Sequence, residues 1–290
     1  MLFNFLKQTR AISIVCHAQP DLDTLSAAIS LKNVLSQTQL EVHLVCQSPV
    51  DPKFTNFIYE TQFSNHIPSN TQKIVVLDCS SWQRTKLKQP LVPILNLDHH
   101  NTNTNFGDYN YVIKTAASTC EMLAEIYQSY NINLSPQTAQ ILLNGVYSDT
   151  KSLTTCNVSS NTLRICSWLT KLKANVKNAH STNKTVLNST ELKELGLALL
   201  NTKIDQNQIA ISSNNAKHSS AYLDKAIELI DQIPNKKYSI LLSRNHKGLV
   251  RASMRNNRGE IDVSKIAAKF NGGGHKKAAG FVYNPSKLGK

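Results

Sequence analysis

The chain has 290 residues, 41% of them hydrophobic and 18% charged, which is long enough for two domains and excludes a disordered chain. Lys and Arg outnumber Asp and Glu by 32 to 19, giving a net charge of +13. This surplus favours phosphate-rich partners such as RNA or nucleotides, although a basic, solvated surface would give the same balance.

The six cysteines are scattered and include no Cys-x-x-Cys pair. Such spacing is typical of reduced thiols in a cytoplasmic protein and not of a disulfide scaffold or a zinc knuckle. No run approaches the roughly 18 apolar residues that would span a bilayer. The apolar N-terminal segment is interrupted by Lys7 and Arg10, and no signal-peptide cleavage site follows it. We therefore expect a cytoplasmic protein with neither signal peptide nor membrane partner.

The first half of the chain alternates apolar runs with a helix-like segment. The runs are residues 11–16, 42–46, 74–77 and 92–97. Their apolar character without alternation is typical of strands covered on both faces of a parallel sheet. Between the first two runs, apolar residues recur at helical spacing from Leu25 to Leu35. This order predicts an α/β domain with an open parallel sheet.

The rest of the chain is first helical and then mixed. Helical spacing predicts helices over residues 116–130, 136–147, 162–172 and 191–200. A polar stretch, residues 180–189, suggests a connection, and the tail carries three apolar runs and two helical segments. We expect a first domain over residues 1–180, a linker over 181–200, and a smaller α/β domain over 201–290.

Acidic residues and histidines accumulate where the predicted strands and one helix end. Six of them are candidate metal ligands: His17, Asp21, Asp23, Asp78, His99 and Asp149. In open α/β sheets ligands bind beyond the carboxyl ends of the strands, so these side chains should converge. A single strand-end Asp is more often a turn or cap residue. The prediction therefore depends on four clusters at four element ends.

Two imidazoles and four carboxylates are too many for one ion, but they suit two ions that share a carboxylate. An oxygen-rich set without thiolate favours Mn²⁺ or Mg²⁺ over a structural zinc. Two ions roughly 3.5–4 Å apart can generate hydroxide and stabilise both the attacking and the leaving oxygen. Phosphate ester cleavage needs that combination.

A second group of residues with phosphate-binding character lies near the end of the chain. Gly272, Gly273 and Gly274 precede His275 and two lysines, and they let the backbone approach a ligand closely. Upstream, Arg251 and Arg255 flank Ser253 with period two, so the three would share one strand face and the arginines could grip phosphate. A flexible turn and a solvated strand face are the alternatives.

These segments, in this order, resemble the DHH-type phosphoesterase family, specifically its stand-alone members with a DHH-associated C-terminal domain. The matching motifs are His17-x-x-Pro20-Asp21-x-Asp23, Asp78, Asp98-His99-His100-Asn101, Asp149-Thr150 and Gly272-Gly273-Gly274-His275-x-x-Ala278-Ala279-Gly280. They extend over nearly the whole chain. Leu22, and Ser26-Ala27 where many relatives have Gly-Ser, depart from the family pattern.

The resemblance implies a role for each motif. One metal would be held by His17, Asp21 and Asp78, and the other by Asp23, Asp78, His99 and Asp149. His100 would face the scissile phosphate, and Asp98 would orient the histidines. The substrate would be bound from the C-terminal domain, with the active site in the cleft between the domains; the residues expected to bind it are Arg251, Ser253, Arg255, Gly273, Gly274 and His275.

The resemblance also implies a substrate class. Family members of this architecture degrade very short RNAs, dephosphorylate 3′-phosphoadenosine 5′-phosphate, or hydrolyse cyclic and linear dinucleotides, usually with manganese, and a homodimer is compatible with it. We expect an oligoribonuclease or phosphoadenosine phosphatase. The alternatives are a di-adenylate phosphodiesterase, a nucleotide-binding protein that has lost catalysis, and a type II inorganic pyrophosphatase.

Overall fold

The structure, a computed structural model, describes residues 1–51, 54, 61–182, 187–215, 221–244, 248–256 and 261–285. The chain divides into two compact units, Met1–Lys184 and Thr185–Lys290, and each combines a sheet with helices. The predicted α/β class is confirmed, whereas the predicted boundaries at 180 and 200 stay predictions. None of the described helices combines the length and apolar character needed to cross a membrane.

The sheet of the first unit has, among the described residues, five parallel strands in the order β2-β1-β3-β4-β5. The strands are β1 (Ala11–Val15), β2 (Glu41–Val45), β3 (Lys73–Leu77), β4 (Ile94–Asp98) and β5 (Tyr109–Val112). All four predicted strands are confirmed. The sequence analysis missed β5, an edge strand that alternates polar with aromatic residues and is nowhere fully buried. It therefore lacks the continuous apolar run that marks the central strands.

Helices cover this sheet, and four of them begin at a side-chain cap. In the described part of this unit they are α1 (Leu2–Leu6), α2 (Leu22–Leu35), α3 (Thr119–Ser129), α4 (Pro136–Asp149), α5 (Ser160–Lys171) and α6 (Val176–Thr182), with a short 3-10 helix at Trp82–Thr85. Asp21 caps α2, Ser118 caps α3, and Ser135 caps α4 with Pro136 in its first turn. The predicted helices over 116–130, 136–147 and 162–172 are confirmed with shifted ends.

The second unit has its own mixed sheet, whose described strands run in the order β10-β11-β9-β8-β7-β6. Its elements are α7 (Ser189–Leu200), β6 (Lys203–Ile204), β7 (Ile209–Asn215), α8 (Ala221–Ile230), β8 (Tyr238–Arg244), β9 (Val250–Arg255), α9 (Val263–Ala268), β10 (Gly273–His275) and β11 (Ala278–Tyr283). The predicted helix over 191–200 is α7. Two of the three glycines considered as a flexible turn lie in β10, which pairs antiparallel with β11.

Candidate metal centre

The six candidate ligands gather in the first unit beyond the ends of β1, β3 and β4. These neighbouring strands lead to His17, Asp78 and His99, while Asp21 and Asp23 stand at the start of α2. Among the described residues, three groups have ligand atoms within 4.8 Å of one another: His17, Asp21 and Asp78; Asp23, His99 and Asp149; and Asp78, His99 and His100. The shared members make these groups one continuous centre.

His17 turns one ring nitrogen toward the first group. Its Nδ1 lies 2.9 Å from the carbonyl oxygen of Ala18, which only accepts, so Nδ1 carries a proton. In the neutral ring Nε2 then presents a lone pair, 3.9 Å from Asp78 Oδ2. This tautomer is the one that a metal bound at Nε2 requires.

Asp23 is fully buried and is fixed by the amino end of α3. Its carboxylate accepts hydrogen bonds from the backbone N–H groups of Thr119 at 2.7 Å and Cys120 at 3.1 Å. Burial raises the pKa of Asp23 well above its usual value, and the nearby carboxylates of Asp149 and Asp78 raise it further. Such crowding of like charges is relieved by a cation.

His99 has a buried nitrogen that lacks a hydrogen bond. Its Nδ1 lies 3.3 Å from the carbonyl oxygen of Ala116, while Nε2 lies 3.1 Å from Asp149 Oδ2 and 3.4 Å from Asp78 Oδ1. Despite these distances, Nε2 has no aligned hydrogen-bond partner among the described residues. Burial lowers the pKa of His99, but Asp149 and Asp78 outweigh it and raise the pKa to about 11. A buried nitrogen facing two carboxylates without a hydrogen bond fits a metal ligand.

Asp78 connects the first group to His99. It is 1% exposed and adopts a left-handed backbone conformation, with φ of 55°, directly after β3. Oδ2 accepts from Thr24 Oγ1 at 2.5 Å on the side of His17, and Oδ1 faces His99. Burial raises the pKa of Asp78, but His99 and Thr24 more than offset it, so the net pKa is lowered. One carboxylate thus offers one oxygen to each side, as a bridging ligand would.

The donor set of the centre fits divalent cations of oxygen-preferring type. Its four carboxylates carry four negative charges when ionised, and two divalent ions would neutralise them. No cysteine belongs to the groups formed by the described residues. Cys16 is buried nearby, and burial, followed by neighbouring thiol and carboxyl groups, raises the pKa of its thiol well above its usual value. The ligand groups of the described residues therefore lack the thiolates that a structural zinc site uses.

Asp98 and His100 form a hydrogen-bonded pair at the end of β4. Asp98 is fully buried, and its Oδ1 lies 2.7 Å from His100 Nδ1, while Oδ2 accepts from Asn103 Nδ2 at 2.5 Å. Burial raises the pKa of Asp98, but the bonds to His100 and Asn103 bring it below its usual value. The same Asn103 amide also donates to Asn96 Oδ1 at 2.8 Å. Asp98 therefore fixes the orientation of the half-exposed His100 ring.

The sequence analysis did not single out four residues of the centre: Thr24, Asn103, Thr119 and Gly145. Thr24 and Thr119 contact candidate ligands, Asn103 contacts Asp98, and Gly145 would meet Asp23 through an added Cβ. Only Thr24 has a local signal, because it stands three residues after the helix cap Asp21. Thr119 contacts Asp23 and Asp78, which are distant in sequence, Asn103 lies in the loop after β4, and Gly145 matters through an absent side chain.

The second unit contains a cavity of about 460 Å³ beside β9, β10 and β11. Five of the six predicted substrate-binding residues are among those that line it: Arg251, Ser253, Arg255, Gly273 and Gly274. Val282, Gly280 and Ala278 of β11 pair with the three β9 residues and lie in the same lining. His275 lies in β10 but outside the lining residues.

Gly274 is the lining residue with the strictest requirement for glycine. Its φ is +141°, and a Cβ there would lie 2.5 Å from the carbonyl oxygen of Ala278 and 2.6 Å from Ala279 Cα. Gly273 has no described heavy atom within 4 Å of such a Cβ. Gly274 therefore allows the close pairing of β10 with β11, whereas Gly273 leaves the outer face of this strand pair open.

Comparisons with known proteins match both units. Residues 11–146 match the DHH family, N-terminal domain, and residues 205–290 match the DHHA1 domain. The bifunctional oligoribonuclease and PAP phosphatase NrnA of Mycoplasma genitalium is 26% identical over 296 residues, covering 98% of this chain and 92% of that protein. The cyclic-di-AMP phosphodiesterase GdpP of Geobacillus thermodenitrificans is 25% identical, covering 94% of this chain and 45% of that protein.

A solved structure shares the fold. An exopolyphosphatase-related protein from Bacteroides fragilis superposes with a TM-score of 0.83 at 18% identity, covering 97% of this chain and 89% of that one. At this identity the similarity concerns the arrangement of elements and not the chemistry.

Proposed function

Because this chain belongs to the DHH phosphoesterase family and is a phosphoester hydrolase, we propose that it acts on short nucleotides with two divalent metal ions. The substrates would be short oligoribonucleotides, cleaved to mononucleotides, 3′-phosphoadenosine 5′-phosphate, cleaved to AMP, or both. Asp78, with one oxygen toward each ligand group, is the observation that carries the two-metal proposal. The similarity to the Mycoplasma genitalium protein over 98% of the chain supports the substrates.

Two of the three ligand groups would each hold one ion, with Asp78 shared by both ions. We assign His17, Asp21 and Asp78 to the first ion; the second would be held by Asp23, Asp78, His99 and Asp149. When bound, such a pair supplies a hydroxide nucleophile at neutral pH and stabilises charge on the attacking and leaving oxygens. Mn²⁺ fits best, because it accepts carboxylate and imidazole ligands together, and Mg²⁺ is the second choice.

The Asp98–His100 pair would position the substrate phosphate. Asp98 fixes Nδ1 of His100 at 2.7 Å, which raises the pKa of His100, although burial opposes the shift. A protonated, fixed imidazole is a hydrogen-bond donor and a positive charge for a phosphate oxygen. Asp98 itself does not need to touch the substrate, because it acts by holding the ring.

The cavity of the second unit would bind the nucleotide. Arg251 and Arg255 can each donate two parallel hydrogen bonds to phosphate, and Ser253 lies between them on β9. Gly273 and Gly274 leave room for a base or ribose against the strand, and we propose that His275 contacts the substrate from outside the lining. The net charge of +13 would draw anionic substrates to the protein.

A substrate panel tests this function. Purified full-length protein with Mn²⁺ should release mononucleotides from di- to pentanucleotide RNA, or AMP from 3′-phosphoadenosine 5′-phosphate, with products separated by chromatography. Chelation with EDTA should stop the release, and added Mn²⁺ should restore it. No turnover of any substrate in the panel would overturn the proposal and favour a binding protein that has lost catalysis.

A di-adenylate phosphodiesterase is the second candidate. The Geobacillus relative named for cyclic-di-AMP hydrolysis matches 94% of this chain and supports it. Including cyclic and linear di-adenylate in the same panel separates the two, because the preferred substrate has the highest kcat/KM. Cytoplasmic location and a homodimer stay predictions from the sequence.

Replacing Gly274 by Ala should raise KM at least about tenfold while changing kcat less, because the methyl group would collide with β11 at 2.5 Å. The positive φ of +141° adds strain that alanine cannot relieve. Steady-state kinetics on the best substrate would measure this. Gly273→Ala adds the same methyl where no described atom lies within 4 Å, so its melting temperature should stay at the wild-type value. An unchanged KM for Gly274→Ala would contradict a substrate site in this cavity.

A further inference from the structure

A threonine hydroxyl lies amid the first ligand group. Thr24 is the third residue of α2, is fully buried, and donates its backbone N–H to Asp21 Oδ1 at 3.0 Å. Its Oγ1 lies 2.8 Å from His17 Nε2, 3.1 Å from Asp21 Oδ1 and 2.5 Å from Asp78 Oδ2. One neutral oxygen therefore contacts all three members of the group at hydrogen-bond distance.

The hydrogen bonds that this hydroxyl can make do not satisfy its three neighbours. In the neutral tautomer described above, His17 Nε2 is an acceptor, and the two carboxylate oxygens are acceptors as well. The hydroxyl has a single proton, and the 2.5 Å distance places that proton on the bond to Asp78. The lone pair of His17 then points at the same oxygen without a donor between them, and Asp21 Oδ1, which accepts the backbone N–H of Thr24, lies 3.1 Å from it. Convergent lone pairs of this kind are what a cation binds.

The distances from Thr24 Oγ1 to the three ligand atoms are those of neighbouring ligands around one ion. With bonds of about 2.1 Å, adjacent ligands of an octahedral ion lie about 3.0 Å apart, and opposite ligands about 4.2 Å. The three distances from Thr24 Oγ1, between 2.5 and 3.1 Å, lie around the adjacent value. The 3.9 Å between His17 Nε2 and Asp78 Oδ2 lies between the two values. A helix residue that only donated a hydrogen bond to one carboxylate would not have to lie at these distances from all three ligand atoms.

We propose that Thr24 supplies its hydroxyl oxygen as a fourth protein ligand to the cation held by His17, Asp21 and Asp78. The inference deepens the proposed two-metal function and rests on its metal centre, not on its substrate. Thr119 shows the contrast, because among the described residues its hydroxyl reaches Asp78 Oδ1 and no other candidate ligand, at 3.2 Å. A neutral, hard oxygen in this position adds affinity for Mn²⁺ and Mg²⁺ relative to thiophilic ions.

Metal binding by three variants tests the role of the hydroxyl. We would titrate EDTA-treated full-length protein with Mn²⁺ and follow free Mn²⁺ by electron paramagnetic resonance. Thr24→Val keeps the shape but removes the oxygen, and it should weaken one of the two sites at least about tenfold. Thr24→Ser keeps the oxygen and should stay within about threefold of the wild type. Thr119→Val removes a hydroxyl that donates to Asp78, and it should lose less affinity than Thr24→Val.

Two results would overturn the inference: Thr24→Ser losing as much affinity as Thr24→Val, or Thr24→Val losing no more than Thr119→Val. Should Thr24→Val fail to fold, a crystal structure of the wild type with Mn²⁺ decides, through the anomalous signal of the ion. Thr24 Oγ1 should lie within about 2.5 Å of Mn²⁺; a longer distance rejects it as a ligand. Both readouts detect bound metal, so a negative result with intact hydrolysis leaves the proposed function standing.

Discussion

Replacing Asp78 by Asn should lower kcat on the preferred substrate by at least about 10³-fold, because the Asp78 carboxylate has one oxygen toward each side of the centre. Asparagine is the informative substitution, since it tolerates the left-handed φ of 55° better than most residues. Its amide oxygen can still accept from Thr24 or Thr119. The change therefore removes charge and bridging capacity while leaving the fold in place.

The same variant separates loss of metal from loss of fold. The lowered pKa of Asp78 means that the folded protein stabilises its charge, so metal-free Asp78→Asn should melt somewhat below the metal-free wild type but still in one cooperative transition. The rise in melting temperature on adding Mn²⁺ should shrink, because binding of ligand to the folded state is weakened. Asp108→Asn is the matched control, because Asp108 accepts from the backbone of Ile94 outside the ligand groups. Wild-type turnover by Asp78→Asn would contradict a bridging role.

The sequence predicted the sheet of the first unit well where burial leaves a local signature. The strands β1, β3 and β4 are almost wholly buried, so their residues are apolar without alternation. The edge strand β5 has one neighbour and partly exposed residues, so its four residues carry no such pattern. The β10 strand was missed for another reason, since glycine has low strand propensity and its pairing with β11 is set by the close approach of the backbones.

The residues of the candidate site also differ in how well the sequence predicts them. Residues that directly follow strands, such as His17 and Asp78, could be singled out because parallel strands end at one edge of a sheet. Asn103 acts through Asp98 and has no signature in the sequence, while the position of Thr24 after the helix cap predicts a cap contact but not the contacts with His17 and Asp78. The role of Gly145 is harder still to predict, because its missing side chain leaves room for Cys120 of α3 and for the carboxylate of Asp23.

Replacing Gly145 by Ala should weaken metal binding by the group Asp23, His99 and Asp149, although residue 145 is not itself a metal ligand. A methyl group there would collide with Cys120 Sγ and lie 2.9 Å from Asp23 Oδ1. Alanine favours a helix over glycine by about 1 kcal/mol, but overpacking of a tight core costs about 1–3 kcal/mol, so the free energy of unfolding should fall. Because Asp23 is held by the amide groups of Thr119 and Cys120, displacing it should weaken Mn²⁺ binding at least about tenfold. Calorimetry and Mn²⁺ titration measure the two effects.

A double-mutant cycle tests whether the collision is the cause. Cys120→Ala removes the sulfur that the new methyl would meet, so Gly145→Ala/Cys120→Ala should be more stable than the sum of the single changes by about 1 kcal/mol or more. Gly196→Ala is the control for helix propensity, since no described atom lies within 4 Å of its Cβ, and it should leave Mn²⁺ affinity unchanged. If the effects of the single changes on stability were additive, the Cys120 side chain would move aside for the new methyl group without a loss of stability. Recovered stability with still weakened metal binding would instead show that the methyl acts on Asp23 directly, through the remaining 2.9 Å contact.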